Sequence, residues 1–277
     1  MIPGLGFLYR LYIQRLKRQL DGKNHPQHIG LILDGNRRWA KQRLESSSHG
    51  HRAGADKIHE FLTWCDDSGV KVVTLYLLST DNIRGRSEQE LDALATIIES
   101  LADQLSRFRN WRIQHVGHRD DLPPGLLAQL DAAGARSEHN SGLHVNLAVG
   151  YGGRQDITQA VQRLVKNHMA SGGDMESLAK SISVEAIADN LYTGGQPDLD
   201  LVIRTSGEQR LSDFMIWQAA HSEFFFLEAL GPDLREVDFL RALRDFARRQ
   251  RRFGHELFTS PTLRLPRVGL NVWLNLA

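Results

Sequence analysis

Six apolar runs rich in Ile, Leu, Val and aromatic residues, at 28–33, 70–78, 112–117, 143–149, 200–204 and 224–227, alternate with stretches of helical periodicity. In 52–67 the residues Ile58, Phe61, Leu62 and Cys65 follow the i, i+3, i+4, i+7 spacing. In 88–107 Leu91, Leu94, Ile98, Leu101 and Leu105 do the same. Further helices are expected at 123–138, 153–170, 183–190, 213–221 and 235–252. Strands that are apolar along nearly their whole length must be covered on both faces. Strand–helix alternation supplies that cover, so the pattern predicts an α/β fold: a single domain with a central, mostly parallel sheet flanked by helices.

The 277 residues, 41% of them hydrophobic, suffice for a sizeable core. A net charge of +1 leaves no basic excess to recommend nucleic acid as a partner. The arginines between 235 and 252 are interleaved with Glu236, Asp238, Asp245 and apolar Val237, Phe239, Leu243 and Phe246, which reads as a solvated helix face. The single cysteine, Cys65, excludes an internal disulfide framework and fits a reducing, cytoplasmic setting. Its place on the apolar face of the 52–67 helix makes it a core residue. No run approaches the roughly 18 consecutive apolar residues of a membrane span. Near the N-terminus, Leu5, Leu8, Leu11 (or Tyr12), Leu16 and Leu20 recur among Arg10, Arg15, Lys17 and Arg18. This short basic amphipathic helix either packs on the body of the protein or makes a peripheral contact with a membrane surface. Beyond 255 the periodicity fades around Pro261 and Pro266, leaving an extended tail without an assignable role.

Four segments at strand ends are polar in a coordinated way. The run His28–Leu33 ends in Asp34-Gly35-Asn36-Arg37-Arg38-Trp39. A carboxylate there can hold a hard cation such as Mg²⁺, and the arginines can hold phosphate. Tyr76-Leu77-Leu78 opens into Ser79-Thr80-Asp81-Asn82. Tyr151-Gly152-Gly153-Arg154 is a glycine turn with an arginine at a helix start. Arg204-Thr205-Ser206-Gly207-Glu208-Gln209-Arg210-Leu211-Ser212 follows the fifth run. Guanidinium forks match phosphate oxygens, hydroxyls add donors, and glycine permits close approach, so Arg204, Arg210 and Ser212 suit a diphosphate. Ligands of open α/β sheets bind at this carboxyl edge.

The four segments in this order, with Trp217-Gln218, Glu223 and Arg251-Arg252-Phe253-Gly254 after them, resemble the cis-prenyltransferases, the undecaprenyl-diphosphate-synthase-like isoprenyl transferases. The resemblance covers roughly 26–254, leaving 1–25 as an N-terminal helix and 255–277 as a tail. It implies one α/β domain with a hydrophobic tunnel, as a rule homodimeric, that joins isopentenyl diphosphate to an allylic diphosphate with Mg²⁺. By position, it makes Asp34 the metal aspartate and Glu223 the acid supporting the metal across the dimer. Gly35, Asn36, Arg37 and Arg38 would bind the allylic diphosphate, with Trp39 and His51 near that end. Ser79 and Asn82 match residues at the reacting centre, Arg86 a substrate-binding arginine, and Arg204, Arg210 and Ser212 the isopentenyl-diphosphate cradle.

The chain also departs from the family. Ser47 stands where an arginine is common, its donor either lost or supplied by Arg37 or Arg43, and the loop after Asn82 leaves Arg84 as an alternative to Arg86. Leu77 stands where long-chain members often carry a small residue beside the tunnel. Added bulk in a packed pocket is costly, so Leu77 points to a short product. Together with Asn190-Leu191-Tyr192-Thr193-Gly194-Gly195-Gln196-Pro197, it resembles the actinobacterial short-chain members that make Z,E-farnesyl diphosphate. Geranyl diphosphate is then the expected primer. Two alternatives stay open: a long-chain (decaprenyl or undecaprenyl) synthase, and a non-catalytic partner subunit of the same fold. The second typically loses the aspartate and arginines kept here. A phosphotransferase using Asp34 as nucleophile usually wants a carboxylate at position 36, where this chain has Asn36. His49 and His51 alone are too few for zinc.

Overall fold

The computed structural model describes residues 5–249; the expected tail and the end of the 235–252 helix lie outside them. Six strands form one sheet in the order β3-β4-β2-β1-β5-β6. They are β1 (His28–Ile32), β2 (Val72–Ser79), β3 (Arg112–Val116), β4 (His144–Tyr151), β5 (Leu201–Arg204) and β6 (Glu223–Phe226). Every pairing is parallel, so the sheet is wholly rather than mostly parallel. From β1 the chain builds β2 beside it, crosses to the far edge for β3 and fills β4 in between, then returns past β1 to build β5 and β6 on the other side. β1 thus sits at the reversal of strand order, where the carboxyl edge opens a crevice.

The larger core lies on the face carrying Ile29, Leu31, Val73, Leu75, Val145 and Leu147. It is covered by α1 (Leu5–Leu20), α3 (Ser47–Asp67), α5 (Glu88–Arg107), α6 (Pro124–Ser137) and α10 (Glu236–Arg248). Cys65 is fully buried there, where desolvation pushes its thiol upward, as expected of an inert core residue. α2 (Asn36–Gln42) and α4 (Thr80–Gly85) are short helices that follow β1 and β2 directly. On the opposite face a smaller cluster of Ile32, Val116, Ala148, Tyr151, Val202 and Phe214 is covered by the chain around 190–220.

Residues 213–221, expected as a helix, form a series of turns instead. Ser212, Asp213 and Met215 have φ of 51°, 62° and 44°, a left-handed backbone that cannot continue an α-helix. Phe214 fills the space above Gly30, where a Cβ would lie 2.7 Å from the Phe214 ring. Tertiary packing here overrides an apolar spacing that looked helical. The helices α7 (Gly153–Ala170), α8 (Met175–Ser181) and α9 (Val184–Asp189) complete the fold; α8 has no counterpart among the expected helices.

A buried polar row crosses the second face. The His28 ring contacts Pro197 O at 2.7 Å and Thr74 Oγ1 at 2.8 Å. Asn146 donates to Thr74 and to Gln196, and Gln196 donates to Gln114. Burial pushes His28 from 6.5 to about 4, and likewise His51 and His144. The unfolded chain therefore binds more protons than the native state between those values. Stability is unaffected above the unfolded value of 6.5 and falls as the pH drops towards about 4. His28→Gln should lower the melting temperature near neutral pH yet shrink the loss between about pH 7 and about pH 5, as thermal unfolding at both would show.

Candidate active site

Two strand ends build the floor of the crevice. Asp34 leaves β1 with its N–H donating to Thr205 Oγ1 at 2.8 Å, and Thr205 Oγ1 donates back to the Asp34 carbonyl at 2.7 Å. Gly35 follows at φ 97°, a conformation available cheaply only to glycine. A Cβ there would also lie 2.8 Å from Leu230 and 3.1 Å from Ser206. The Asp34 carboxylate accepts from its neighbour's N–H through Oδ1 at 2.6 Å and from Arg204 Nη2 through Oδ2 at 2.9 Å. Desolvation raises its affinity for a proton. The hydrogen bonds from Arg204 and Gly35 and the charges of Arg204 and Arg38 outweigh that, holding the carboxyl below its ordinary range.

Arg204 is almost wholly buried and reaches three ways: to Asp34, to Ser212 Oγ at 2.9 Å, and to the carbonyl of Arg210. Tyr76 Oη donates to Ser212 O at 3.0 Å and so ties β2 to the same loop. Glu208 stands between Arg210, which donates to it, and Arg38, 3.9 Å away.

The resulting pocket, about 440 Å³, gathers Asp34, Gly35, Asn36, Arg37, Arg38, His51, Leu77, Ser79, Asn82, Arg86, Arg204, Arg210 and Ser212. Tyr76 and Asp81 also line it. Five arginines thus face two aspartates across one cavity, a charge balance that calls for an anion. Of the two arginines near the loop after Asn82, Arg86 lines the cavity and Arg84 does not. Arg37 lines it too, whereas Arg43 lies over the Trp39 ring and pairs with Asp233. Of the two arginines weighed for the position-47 donor, only Arg37 therefore lines the cavity.

Arg86 is the outlier. It is half-buried, and its Nε and Nη1 are buried without a hydrogen-bond partner among the described residues. Desolvation and the nearby Arg37 charge both lower its proton affinity. His51 beside it is pushed down to about 4 by burial and by the charges of Arg86 and Arg37, so it is neutral near pH 7.

Trp39 and Glu223 do not join this cavity within the chain. Trp39 donates to Asp233 Oδ1 at 2.9 Å and stacks on His49, stapling α2 to the start of α3 and to the 231–233 turn. Glu223 opens β6 opposite Leu201, three residues before the row that holds Arg204. That offset is about 10 Å along the strand, towards the amino edge. Its carboxylate pairs with Arg249. The Tyr151–Arg154 segment is also absent: Arg154 points to solvent. Its glycines serve packing. A Cβ on Gly152 would meet Thr80 and Asp213, and one on Gly153 would meet Asp213 O and Ile216, each within 3 Å. The segment therefore clamps the Ser212–Asp213 turn from below.

Leu77 falls on the face of Val73 and Leu75, as regular alternation along β2 places it. Tyr76 pairs with Ala148 and Leu78 with Val149, so the ladder slips beside Leu77. A regular strand turns successive side chains to opposite faces, but here Leu78 joins Leu77 on the larger core. Leu77 lines the charged pocket and also a narrow apolar cleft of about 60 Å³ between α3 and α5, shared with Ala55, Ile58, Leu94, Ile98 and Leu101. Thr205 and Asp81 were not singled out as site residues, although both belong to motifs read at the sequence level.

A prenyltransferase family model, described as undecaprenyl diphosphate synthase, matches residues 32–254. The chain belongs to that family, and it is a prenyl transferase. Among curated relatives, Isoprenyl transferase 1 of Streptomyces avermitilis is 51% identical over 90% of this chain and 96% of its own length. The (2Z,6E)-farnesyl diphosphate synthase of Thermobifida fusca is 53% identical over 89% of this chain and 97% of its own. The solved lavandulyl diphosphate synthase from Lavandula x intermedia, in complex with dimethylallyl diphosphate, superposes with a TM-score of 0.77. It is 33% identical and covers 83% of this chain and 99% of its own.

An unpartnered half-buried cation weakens the free protein and is relieved by an anion. Arg86→Met is expected to leave the melting temperature unchanged or higher, while pyrophosphate affinity falls about tenfold or more, consistent with loss of a charge-assisted contact. Thermal shift with and without pyrophosphate measures both.

Proposed function

We propose that the chain joins isopentenyl diphosphate to a short allylic diphosphate, geranyl diphosphate by preference, giving a short Z-prenyl diphosphate such as Z,E-farnesyl diphosphate. The observation that carries this reading is a shared wall: the five-arginine pocket and a narrow, mainly apolar cleft have Leu33, Asn36, His51, Tyr76 and Leu77 in common. One ligand with a diphosphate head and a short hydrocarbon tail satisfies both. The relative from Thermobifida fusca supports the product.

Mg²⁺ fits the donors present. No group of three metal-binding side chains exists among the described residues, so a cation here would take most of its oxygens from phosphate and water, as Mg²⁺ does. Asp34, kept ionised and partly exposed, would hold it, with Asp81 the other carboxylate in the cavity. When bound, it would stabilise negative charge on the departing diphosphate.

Arg37 and Arg38, with the turn at Gly35-Asn36 and with Arg86, hold the allylic diphosphate. Arg204, Arg210 and Ser212 hold the isopentenyl diphosphate. The bond from the allylic carbon to its diphosphate oxygen breaks and the electron pair leaves with the diphosphate. The isopentenyl double bond then supplies electrons for the new carbon–carbon bond, and loss of a proton restores a double bond. Ser79 Oγ accepts the Asn82 backbone N–H at 3.0 Å, capping α4, and both residues line the cavity, where their side chains would orient the reacting groups. Neutral His51 adds a polar wall without a charge of its own.

A homodimer completes the proposal. β6 is an edge strand with Phe226 exposed and stacked against Phe224, and Glu223 can approach an Asp34 site only from a second copy. Sedimentation velocity should therefore give a dimer, and a fully active monomer would exclude the arrangement.

The deciding assay is labelled isopentenyl diphosphate with geranyl or farnesyl diphosphate and Mg²⁺, followed by chromatography of the dephosphorylated product. No product with any primer refutes the reading. Asp34→Ala should cost about 10²–10³-fold in kcat/KM, the scale of removing an electrostatic stabiliser. Leu77→Ala should lengthen the product by at least one isoprene unit, and an unaltered length distribution would place the limit elsewhere.

A further inference from the structure

α1 buries one face and leaves another open. Ile13, Leu16 and Leu20 are buried against the body, and Lys17 pairs with Glu236 of α10 at 2.7 Å. Phe7, Leu8 and Leu11 remain 63%, 64% and 45% exposed. Phe7, Leu11, Gln14 and Arg18 recur at the spacing that keeps residues on one helix face, opposite the buried stripe. The outer surface is therefore apolar over its first turns and basic beyond them, with Arg10, Arg15 and Arg18 all exposed. α1 contains no acidic residue. None of these side chains lines the diphosphate pocket.

Among the described residues, packing does not involve the outer face, since Ile13, Leu16 and Leu20 already anchor the helix. Three exposed large apolar side chains in succession are unusual on a monomer surface and mark a contact site. Charge selects the occupant. Residues 250–277 carry four arginines and one glutamate, so that tail meets a basic helix with like charge. A second copy of α1 does the same. An anionic surface is complementary to both halves of the face: apolar side chains enter the boundary between headgroups and acyl chains, and arginines meet lipid phosphates. No described helix is long and apolar enough to cross a membrane, so the contact is peripheral.

We infer that α1 docks the protein on an anionic lipid surface through Phe7, Leu8 and Leu11, with Arg10, Arg15 and Arg18 on the headgroups. The inference rests on α1 and not on the reading of the pocket, so vesicle binding and prenyl transfer are separate readouts.

The test is co-sedimentation of the full chain with phosphatidylglycerol vesicles and with phosphatidylcholine vesicles. Binding should be about tenfold or more tighter on the anionic vesicles and should weaken with added salt. The triple variant Phe7→Ser, Leu8→Ser, Leu11→Ser should lose about tenfold or more of that affinity with unchanged prenyl transfer in solution. A second variant, Arg10→Gln, Arg15→Gln, Arg18→Gln, leaves the apolar face intact and should lose the preference for anionic lipid. Absence of binding to phosphatidylglycerol overturns the proposal, and so does equal binding to both vesicles. Wild-type affinity in the serine variant overturns it by moving the contact elsewhere, including to 250–277. A serine variant with a smaller sedimenting mass overturns it by assigning the face to a second copy.

Discussion

A guanidinium at the end of β5 meets a carboxylate just beyond the end of β1, and both halves of the pocket are built outward from that contact. Arg204 is nearly inaccessible to solvent, so its charge needs partners wherever the chain places it. Asp34 supplies the ionic one, while Ser212 and the Arg210 carbonyl take the other side of the fork. Thr205 locks the two backbones together with a reciprocal pair of hydrogen bonds. Asp34 is about one-third exposed. Water therefore screens the pair, and its value lies in fixing geometry more than in stability. Removing either member would release the loop that carries Arg210 and the turn that carries Arg37 and Arg38.

That clasp leaves a positive excess that the protein does not neutralise internally. Glu208 balances Arg38 and Arg210 in part, but Arg86 keeps two buried nitrogens without acceptors among the described residues. An arrangement of this kind persists when a ligand completes it, and a diphosphate offers oxygens in the number and charge required. In the proposed function the apolar cleft beside Leu77 would supply the second half of the specificity. The ladder between β2 and β4 slips beside Leu77, so that Leu78 joins Leu77 on the face of the larger core.

Much of the fold was legible because its signals are local. Strands buried on both faces need apolar residues throughout, and each of the six expected runs became a strand within a residue or two at most ends. The amphipathic helices over Ile58–Cys65 and Leu91–Leu105 followed from spacing for the same reason. The failures have a common cause. Residues 213–221 carry a helical apolar spacing, yet left-handed residues required by the Arg204 loop prevent the helix. Trp39 sits in a motif otherwise devoted to the pocket, yet Asp233, nearly 200 residues away, takes its indole N–H. Gly152 and Gly153 looked like a phosphate turn and instead allow close packing on Asp213. In each case a distant partner, invisible in the local sequence, decided the outcome.

Residue order alone determined the α/β class, the strands, the family resemblance and which side chains can bind phosphate or a hard cation, because composition and periodicity report on burial and on donor chemistry. Tertiary structure alone decided which of those residues share a cavity. It set Asp34 against Arg204, admitted Arg37 and Arg86 while turning Arg43 and Arg84 away, and put Glu223 out of reach within one chain. It also aimed Leu77 at the cleft. Those outcomes depend on sheet register and on contacts between segments some 170 residues apart, and spacing along a chain carries no information about them.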